Sequence, residues 1–260
     1  RADFDGIFRV MDGLPVTIRL LDPPLHEFLP QEEKDCVAVA QELGISSEAL
    51  RFKAMQLHEF NPMLGHRGCR LALSYPQVAR MQTRAILEGA LLAQADGICP
   101  IVEIMVPLIA HEKELAILKE EIKNEAQAVF AEKGNSVNYL IGTMIELPRA
   151  ALTADEIAKH AQFFSFGTND LTQTTFGLSR DDSNSFLPSY VEKGILETDP
   201  FISLDTSGVG QLLKIATEKG RSTRAGIKIG ICGEHGGDPK SVLFCHQLGM
   251  DYVSCSPFRI

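Results

Sequence analysis

Short apolar runs alternate with longer amphipathic segments along almost all of the 260-residue chain. The runs are continuous, which is typical of parallel strands that are covered by helices on both faces. We therefore predict an α/β fold with a parallel sheet. The pattern predicts seven strands, at residues 16–21, 62–66, 101–106, 139–146, 163–167, 228–232 and 252–255.

The segments between the strands carry helical periodicity and capping residues. The predicted helices are residues 31–43, 46–58, 76–95, 111–133, 150–158, 208–219 and 239–248. Residues 1–12 are expected to be helical or irregular, and residues 179–206 form a long polar segment.

Two architectures fit this alternation: a closed (β/α)8 barrel, which needs eight strands, and an open doubly wound sheet of seven. A helical segment precedes the first predicted strand, and no helix follows the last one. We therefore predict a truncated (β/α)8 TIM barrel that lacks its first βα unit and its last helix. Residues 1–260 would form this single domain.

Composition excludes several classes of protein. The chain is 45% hydrophobic and 23% charged, as in ordinary globular proteins. No apolar run reaches the roughly 18 residues of a membrane span, and the charged start does not resemble a secretory signal. The net charge of −9 argues against nucleic acid as a partner. Six scattered cysteines without a CxxC pair indicate a reducing compartment, the cytoplasm or an organelle stroma such as that of a plastid.

Two acids follow the apolar runs of predicted strands: Glu146 ends strand 139–146, and Asp170 lies just past strand 163–167. Mg²⁺ takes few protein carboxylates and keeps several water or substrate oxygens, so two acids from neighbouring strands could hold it. Gly167 would let backbone N–H groups face an anion. The alternative is that each acid caps a helix or pairs with an arginine such as Arg149, and the spacing alone leaves both interpretations open.

Two arginines, Arg19 and Arg67, lie within or just after predicted strands. A guanidinium group suits carboxylate and phosphate oxygens. Structural pairing with Asp22 or Glu103 is an equally good interpretation.

Cys232 lies between glycines at the end of strand 228–232. Near a metal and arginines, its thiol would have a lowered pKa and could act as an acid or base. His235 could assist it or only form hydrogen bonds within the loop. The other five cysteines are expected to be buried and inert. In a barrel these groups share the C-terminal edge of the strands, where function resides.

Five motifs, in this order, resemble the phosphoenolpyruvate (PEP)-utilising enzymes over nearly the whole chain. Two of them, in segments Leu20–Phe28 and Gly233–Pro239, are more similar to members that use phosphate as a second acceptor than to members that use water. The motifs are residues 16–24, 61–71, 145–152, 165–173 and 230–237.

This resemblance implies a barrel that binds pyruvate or PEP with Mg²⁺. It makes Glu146 and Asp170 the metal ligands, which also face the substrate, and Arg19 and Arg67 the clamp on the phosphoryl group and the enolate oxygen. It further implies substrate contacts from residues 167–169 (Gly167, Thr168 and Asn169), an acid/base role for Cys232 and a place near it for Tyr252.

The resemblance also implies partners. The phosphoryl group would come from a phosphohistidine on another domain of the same enzyme, and the enzyme would be a homodimer. None of the seven histidines lies in the phosphohistidine motif, and no Walker-type loop is present. We therefore expect that the chain alone does not complete the ATP-dependent reaction. The alternatives are a member that uses water as its second acceptor and a non-catalytic dimerisation module.

Overall fold

A computed structural model describes residues 1–23, 29–30, 32–57, 59 and 61–259, and it has an α/β fold. In this part of the chain, six parallel strands form one sheet in their sequence order. Six of the seven predicted strands are therefore present, within a few residues of their expected bounds. The strands are β1 (Pro15–Arg19), β2 (Ile101–Val106), β3 (Tyr139–Ile145), β4 (Phe163–Gly167), β5 (Lys228–Cys232) and β6 (Tyr252–Val253).

The predicted helices are present in position, with two changes. The segment predicted as one helix at 150–158 is two short helices that meet at Thr153, and the helix predicted at 208–219 continues to Thr223. Three further helices were not among the predicted ones: Gly68–Ser74, Thr168–Phe176 and Leu187–Glu192. The α-helices are α1 (Ala2–Val10), α2 (Glu33–Leu43), α3 (Ser47–Gln56), α4 (Gly68–Ser74), α5 (Pro76–Ala95), α6 (Glu112–Lys133), α7 (Pro148–Leu152), α8 (Ala154–Ala158), α9 (Thr168–Phe176), α10 (Leu187–Glu192), α11 (Val209–Thr223) and α12 (Pro239–Gln247). Short 3₁₀ segments cover Pro62–Leu64, Ser183–Ser185, Glu234–Gly237 and Pro257–Arg259.

The strand predicted at 62–66 is wrong. Pro62–Leu64 is a 3₁₀ turn, and β1 pairs directly with β2. Pro62 lacks the N–H that a ladder needs, and Gly68 has a left-handed φ of 56°. The segment therefore turns into α4, and Arg67 is positioned by this turn as the N-terminal cap of that helix.

The main core lies between the outer face of the sheet and the helices. α5 packs against α1 and α6, and α11 packs against α7 and α8. None of the helices described is both long and apolar enough to cross a membrane. Of the cysteines expected to be buried, Cys36, Cys69 and Cys245 are buried and Cys255 is partly exposed, whereas Cys99 is exposed in the turn after α5.

The inner face of the sheet shows that the sheet is curled. Lys228 Nζ on β5 lies 2.8 Å and 3.0 Å from the two carboxylate oxygens of Glu103 on β2. These strands are three positions apart, which is about 14 Å in a flat sheet. Because the side chains nevertheless meet, the sheet curves around its inner face into a half-barrel.

β1 departs from the expectation that every strand is buried on both faces. Val16 and Ile18 are buried against the helices, whereas Pro15, Thr17 and Arg19 are exposed on the inner side. As an edge strand β1 has a neighbour on one side only, so its inner residues face the open side of the half-barrel.

Some expectations fall outside the described residues. These are the part of the segment Leu20–Phe28 from Pro24 onwards, the predicted helix start at residue 31 and the predicted helix end at residue 58.

The ion pair between Glu103 and Lys228 predicts a measurable contribution to stability. Glu103 is only 2% exposed and also accepts a 2.5 Å hydrogen bond from the Thr17 hydroxyl. In Lys228→Met the carboxylate loses its cation inside the sheet. We expect the free energy of unfolding to fall by about 1–3 kcal/mol in urea titrations, less than for a fully buried pair because Lys228 is partly exposed.

The matched control is Lys219→Met, which removes the exposed ion pair with Asp155 and should cost about 0.5 kcal/mol or less. Adding Glu103→Gln to Lys228→Met should restore part of the loss. Equal effects of the two lysine variants would contradict this view of the inner face.

Candidate functional site

A cavity of about 520 Å³ lies at the C-terminal edge of the sheet. Seven of the eight predicted site residues line it, and they come from β1, from the turn before α4 and from the ends of β3, β4 and β5. Parallel strands bring their C-terminal ends to one edge, which explains why residues so distant in sequence meet. The seven are Arg19, Arg67, Glu146, Gly167, Asn169, Asp170 and Cys232.

Arg67 is the most firmly held of these side chains. Its Nε and Nη2 donate to the two carboxylate oxygens of Asp22, at 3.2 Å and 2.6 Å, and Nη2 also donates to Asp170 Oδ2 at 3.2 Å. A Cβ at Gly68 would lie 2.8 Å from Asp22 Oδ1, so only glycine allows this close approach. The structural pairing that the sequence left open, Arg67 with Asp22, is therefore present.

Arg19 shares the same acid. Its Nη1 lies 3.4 Å from Asp22 Oδ2, and its side chain is 49% exposed. Asp22 therefore serves both arginines, but Arg67 also contacts Asp170, whereas Arg19 has no acid partner among the described residues other than the one it shares with Arg67. Arg19 in particular keeps N–H groups that are available to an anion in the cavity.

Glu146 is the deepest acid of the site, with 1% of its surface exposed. Leu108 N donates to its Oε1 at 2.6 Å. Burial, followed by the nearby charges of Asp170 and Asp22, raises its pKa to about 8. A Cβ at Gly167 would overlap Glu146 Oε2, so this glycine leaves room for the carboxylate.

Asn169 and Asp170 lie in the first turn of α9. Gln173 Nε2 donates to Asp170 Oδ1 at 2.9 Å, while Arg67 contacts the other carboxylate oxygen. Asn169 Oδ1 is buried and has no hydrogen-bond partner among the described residues. An unsatisfied acceptor at a cavity wall is a place where a ligand can bind.

These groups fit a hard cation. Four acids and three arginines line the cavity, which is an excess of one negative charge when all four acids are ionised: Asp22, Glu146, Asp170 and Asp181 against Arg19, Arg67 and Arg180. The available donors are carboxylate and amide oxygens, which Mg²⁺ prefers. No group of three or more His, Cys, Asp or Glu side chains in the described part of the chain is arranged to hold a metal. A cation here would thus depend on two carboxylates and on substrate or water oxygens.

The expectation of a lowered thiol pKa is wrong for Cys232. Burial raises the pKa of this thiol, and the nearby charge of Glu146 acts in the same direction, although a hydrogen bond with Ser165 opposes them. The thiol donates to Phe166 O at 3.6 Å. Cys232 therefore presents a protonated thiol to the cavity, which is the form of an acid.

Tyr252 lies on the inner face near Cys232, as expected. Its hydroxyl donates to Phe164 O at 3.4 Å, and burial raises the pKa of the Tyr252 phenol to about 12. The tyrosine ring also lies over Lys228 Nζ, 4.8 Å from the ring centroid. The phenol is therefore protonated as well.

Thr168 and His235 do not line the cavity. Both are fully buried, with His235 Nδ1 2.7 Å from Thr168 Oγ1 and Nε2 2.9 Å from Pro200 O. Thr168 Oγ1 also lies 3.3 Å from Cys232 O. Of the two interpretations of His235, the hydrogen-bonding role in the loop is the one that the structure shows.

Several cavity residues were not predicted from the sequence. Met144 could have been found, because it lies two residues before Glu146 and so points to the same face of the strand. Gln173, Arg180 and Asp181 gave no comparable signal. The missed lining residues are Met63, Met105, Met144, Gln173, Arg180, Asp181 and Gly233, together with Asp22, which was expected only as an arginine partner.

A curled parallel sheet thus carries arginines, carboxylates and a thiol together at its C-terminal edge, which is the arrangement of an α/β enzyme site. The chain belongs to the PEP-utilising enzymes: the family model of their PEP-binding domain matches residues 1–260. This confirms the resemblance that the five motifs indicated.

Three curated relatives are each named as a pyruvate, phosphate dikinase. The protein of Rhizobium meliloti (strain 1021) is 61% identical over 261 residues, the chloroplastic protein 1 of Arabidopsis thaliana 61% over 262, and the protein of Clostridium symbiosum 55% over 261. Each match covers 100% of this chain but only 29%, 27% and 30% of the relative. The chain thus spans less than a third of their length.

One solved structure, a citrate lyase of Burkholderia xenovorans LB400, also matches. It is 15% identical, with a TM-score of 0.39, over 85% of this chain and 64% of that one.

The raised pKa of Glu146 predicts a pH-dependent stability in the absence of divalent cations. A folded pKa near 8, above the ordinary 4.5, means that the acid favours folding fully below about pH 4.5 and loses this contribution as the pH rises through 8. Glu146→Gln removes the charge and keeps an acceptor for Leu108 N. We expect its melting temperature in EDTA to exceed that of the wild type by about 2–4 °C at pH 8.5 and to differ little at pH 5.

Glu197→Gln, at an exposed surface acid, is the control and should show no such trend. A Glu146→Gln protein that melts at or below the wild-type temperature at pH 8.5 would refute the prediction.

Proposed function

We propose that this chain is the pyruvate- and PEP-binding domain of a pyruvate, phosphate dikinase. It would transfer a phosphoryl group from a phosphohistidine on another domain to the enolate of pyruvate, which gives PEP. The overall reaction would convert ATP, phosphate and pyruvate to AMP, diphosphate and PEP. The observation that carries this proposal is that two arginines, two carboxylates and a protonated thiol face one cavity.

The fold supports a further step of the same proposal. A curled, sequentially ordered parallel sheet with its site at the C-terminal edge is the arrangement of a (β/α)8 barrel. We therefore infer that the half-barrel is a truncated form of this fold, and that residues 1–260 act as one domain of a larger multidomain enzyme.

Glu146 and Asp170 would hold Mg²⁺, with Asn169 Oδ1 beside them as an oxygen that has no partner among the described residues. When bound, the ion would stabilise negative charge on the enolate oxygen. The burial that raises the pKa of Glu146 favours this, since a cation is the natural partner for a buried acid whose nearest charged neighbours include two other acids.

Arg19 and Arg67 would bind the phosphoryl group and the enolate oxygen. Arg67 is fixed by Asp22, and fixed donors need no reorganisation as charge develops during the reaction. Arg19 is half-exposed and can follow the phosphoryl group as it moves. The backbone N–H groups of residues 167–169, where α9 begins, would add donors for the anionic substrate.

Cys232 would exchange a proton with the carbon that becomes the methyl group of pyruvate. Towards pyruvate, the protonated thiol donates its proton to C3 of the enolate. Towards PEP, the thiolate removes a proton from the methyl group, and the enolate oxygen takes the phosphoryl group in line. The raised pKa of the thiol suits the donating step.

The relatives favour a dikinase over the alternative of a phosphoenolpyruvate synthase, because the proteins of Rhizobium meliloti, Arabidopsis thaliana and Clostridium symbiosum are all named as dikinases. The shared cavity of reactive side chains argues against a non-catalytic dimerisation module. We also infer a homodimer in a reducing compartment, the cytoplasm or a plastid stroma. Relatives named as chloroplastic and relatives from bacteria both occur.

The acid/base role of Cys232 predicts slow methyl exchange in Cys232→Ala. Exchange of pyruvate methyl protons in deuterated buffer with Mg²⁺ can be followed by NMR in the full-length enzyme. We expect at least a roughly 100-fold decrease, the usual contribution of a positioned acid or base. The exposed Cys99→Ala serves as control and should exchange at the wild-type rate; exchange at that rate in Cys232→Ala would rule out the role.

The metal assignment predicts that Glu146→Ala and Asp170→Ala each weaken Mg²⁺ binding by at least about tenfold in titration calorimetry. Each variant removes one of the two carboxylates that would contact the ion. Asp155→Ala changes an exposed acid away from this cavity and should leave the affinity unchanged. Unchanged affinity in both site variants would show that the cation does not bind here.

A further inference from the structure

Gln173 links the two sides of the cavity. It lies in the last turn of α9, and its side chain bridges back to Asp170 in the first turn, where Nε2 donates to Oδ1 at 2.9 Å. Its Oε1 accepts from the backbone N–H of Arg180 at 2.8 Å. The amide thus ties a candidate cation ligand to the loop that brings Arg180 and Asp181 to the cavity.

The chemistry of the two partners fixes the orientation of this amide. An ionised carboxylate only accepts hydrogen bonds, and a backbone N–H only donates. The Gln173 side chain must therefore point its NH₂ at Asp170 and its oxygen at Arg180. A glutamate would place a second carboxylate against Asp170, and a methionine of similar shape would satisfy neither partner.

Asp170 is held at both oxygens in this arrangement. Arg67 contacts Oδ2 and Gln173 contacts Oδ1, so rotation of the carboxylate would break a hydrogen bond at each end. Groups that hold a metal ligand in this way typically change metal affinity by about 10–100-fold when they are removed.

We propose that Gln173 is a positioning residue that orients the Asp170 carboxylate towards the bound cation and couples cation binding to the order of the loop at residues 178–182. The inference rests on the proposed function, because it needs a cation at Glu146 and Asp170. It assigns Gln173 no contact with the reacting atoms.

The test measures binding of Mn²⁺ alone to the full-length enzyme, from the loss of the electron paramagnetic resonance signal of the free ion. We expect Gln173→Met to bind Mn²⁺ about tenfold more weakly than the wild type. Gln211→Met is the matched control, since Gln211 is an exposed glutamine on α11 that does not line the cavity, and it should bind like the wild type.

Adding Gln173→Met to Asp170→Ala separates positioning from a general loss of structure. If Gln173 acts through Asp170, the double variant should bind Mn²⁺ as weakly as Asp170→Ala alone. A further loss of similar size in the double variant would overturn the proposal.

Hydrogen exchange gives a second readout that does not need the variant to fold. In the wild type, Mg²⁺ should slow exchange in a peptide that covers residues 177–183, because the cation holds Asp170 and hence Gln173 against the Arg180 N–H. Exchange at the same rate with and without Mg²⁺ would overturn the proposed coupling.

The outcomes distinguish this inference from the proposed function. If neither Glu146→Ala nor Asp170→Ala weakens Mn²⁺ binding, the metal site itself fails. If both weaken it while Gln173→Met binds like the wild type, the metal site stands and only the role of Gln173 is wrong.

Discussion

The ion pair between Arg67 and Asp22 is the interaction on which the rest of the site depends. Arg67 lies before α4 and Asp22 after β1, and their two hydrogen bonds join segments 45 residues apart inside the protein. Arg67 then extends to Asp170 beyond β4. A buried guanidinium requires its acids, and buried acids require a cation, so each of these groups places the others. Without Asp22, Arg67 would be left with Asp170 and the carbonyl of Met63.

The curvature of the sheet determines which side chains share the cavity. Side chains alternate between the faces of a strand, so Glu103 and Met105 face inwards together, as do Lys228, Gly230 and Cys232. The ion pair between Glu103 and Lys228 joins β2 to β5 across the inner face of the curled sheet. Cys232 comes four residues after Lys228 on the same face, at the level of the cavity. A polar contact inside the sheet thus supports the strands that carry the site.

The site residues at the C-terminal edge of the sheet could be predicted, because an apolar run that ends in a polar residue identifies the end of a buried strand. Glu146 and Cys232 follow this rule. Arg67 was correctly predicted at this edge, but from a strand that does not exist. Its segment is a turn that Pro62 and Gly68 impose. Gln173 could not be predicted, because its partner Arg180 lies seven residues further along the chain, in a loop. Loops have no hydrophobic periodicity from which their path could be predicted. The prediction of a lowered pKa for the Cys232 thiol was wrong, because it rested on the nearby charges and did not include burial, which raises the pKa.

The buried acid that the proposed function requires lowers the stability of the fold. Glu146 is buried beside Asp170 and Asp22, and a neutral side chain there would avoid the cost of an unpaired charge. The fold tolerates the acid because Leu108 N satisfies one oxygen and Gly167 leaves space for the other. A cation that binds beside these acids would offset their mutual repulsion and the cost of burying their charge. Its binding would therefore stabilise the folded protein. The same repulsion that weakens the fold would therefore favour the proposed ion, and with it the anionic substrate that the arginines would bind.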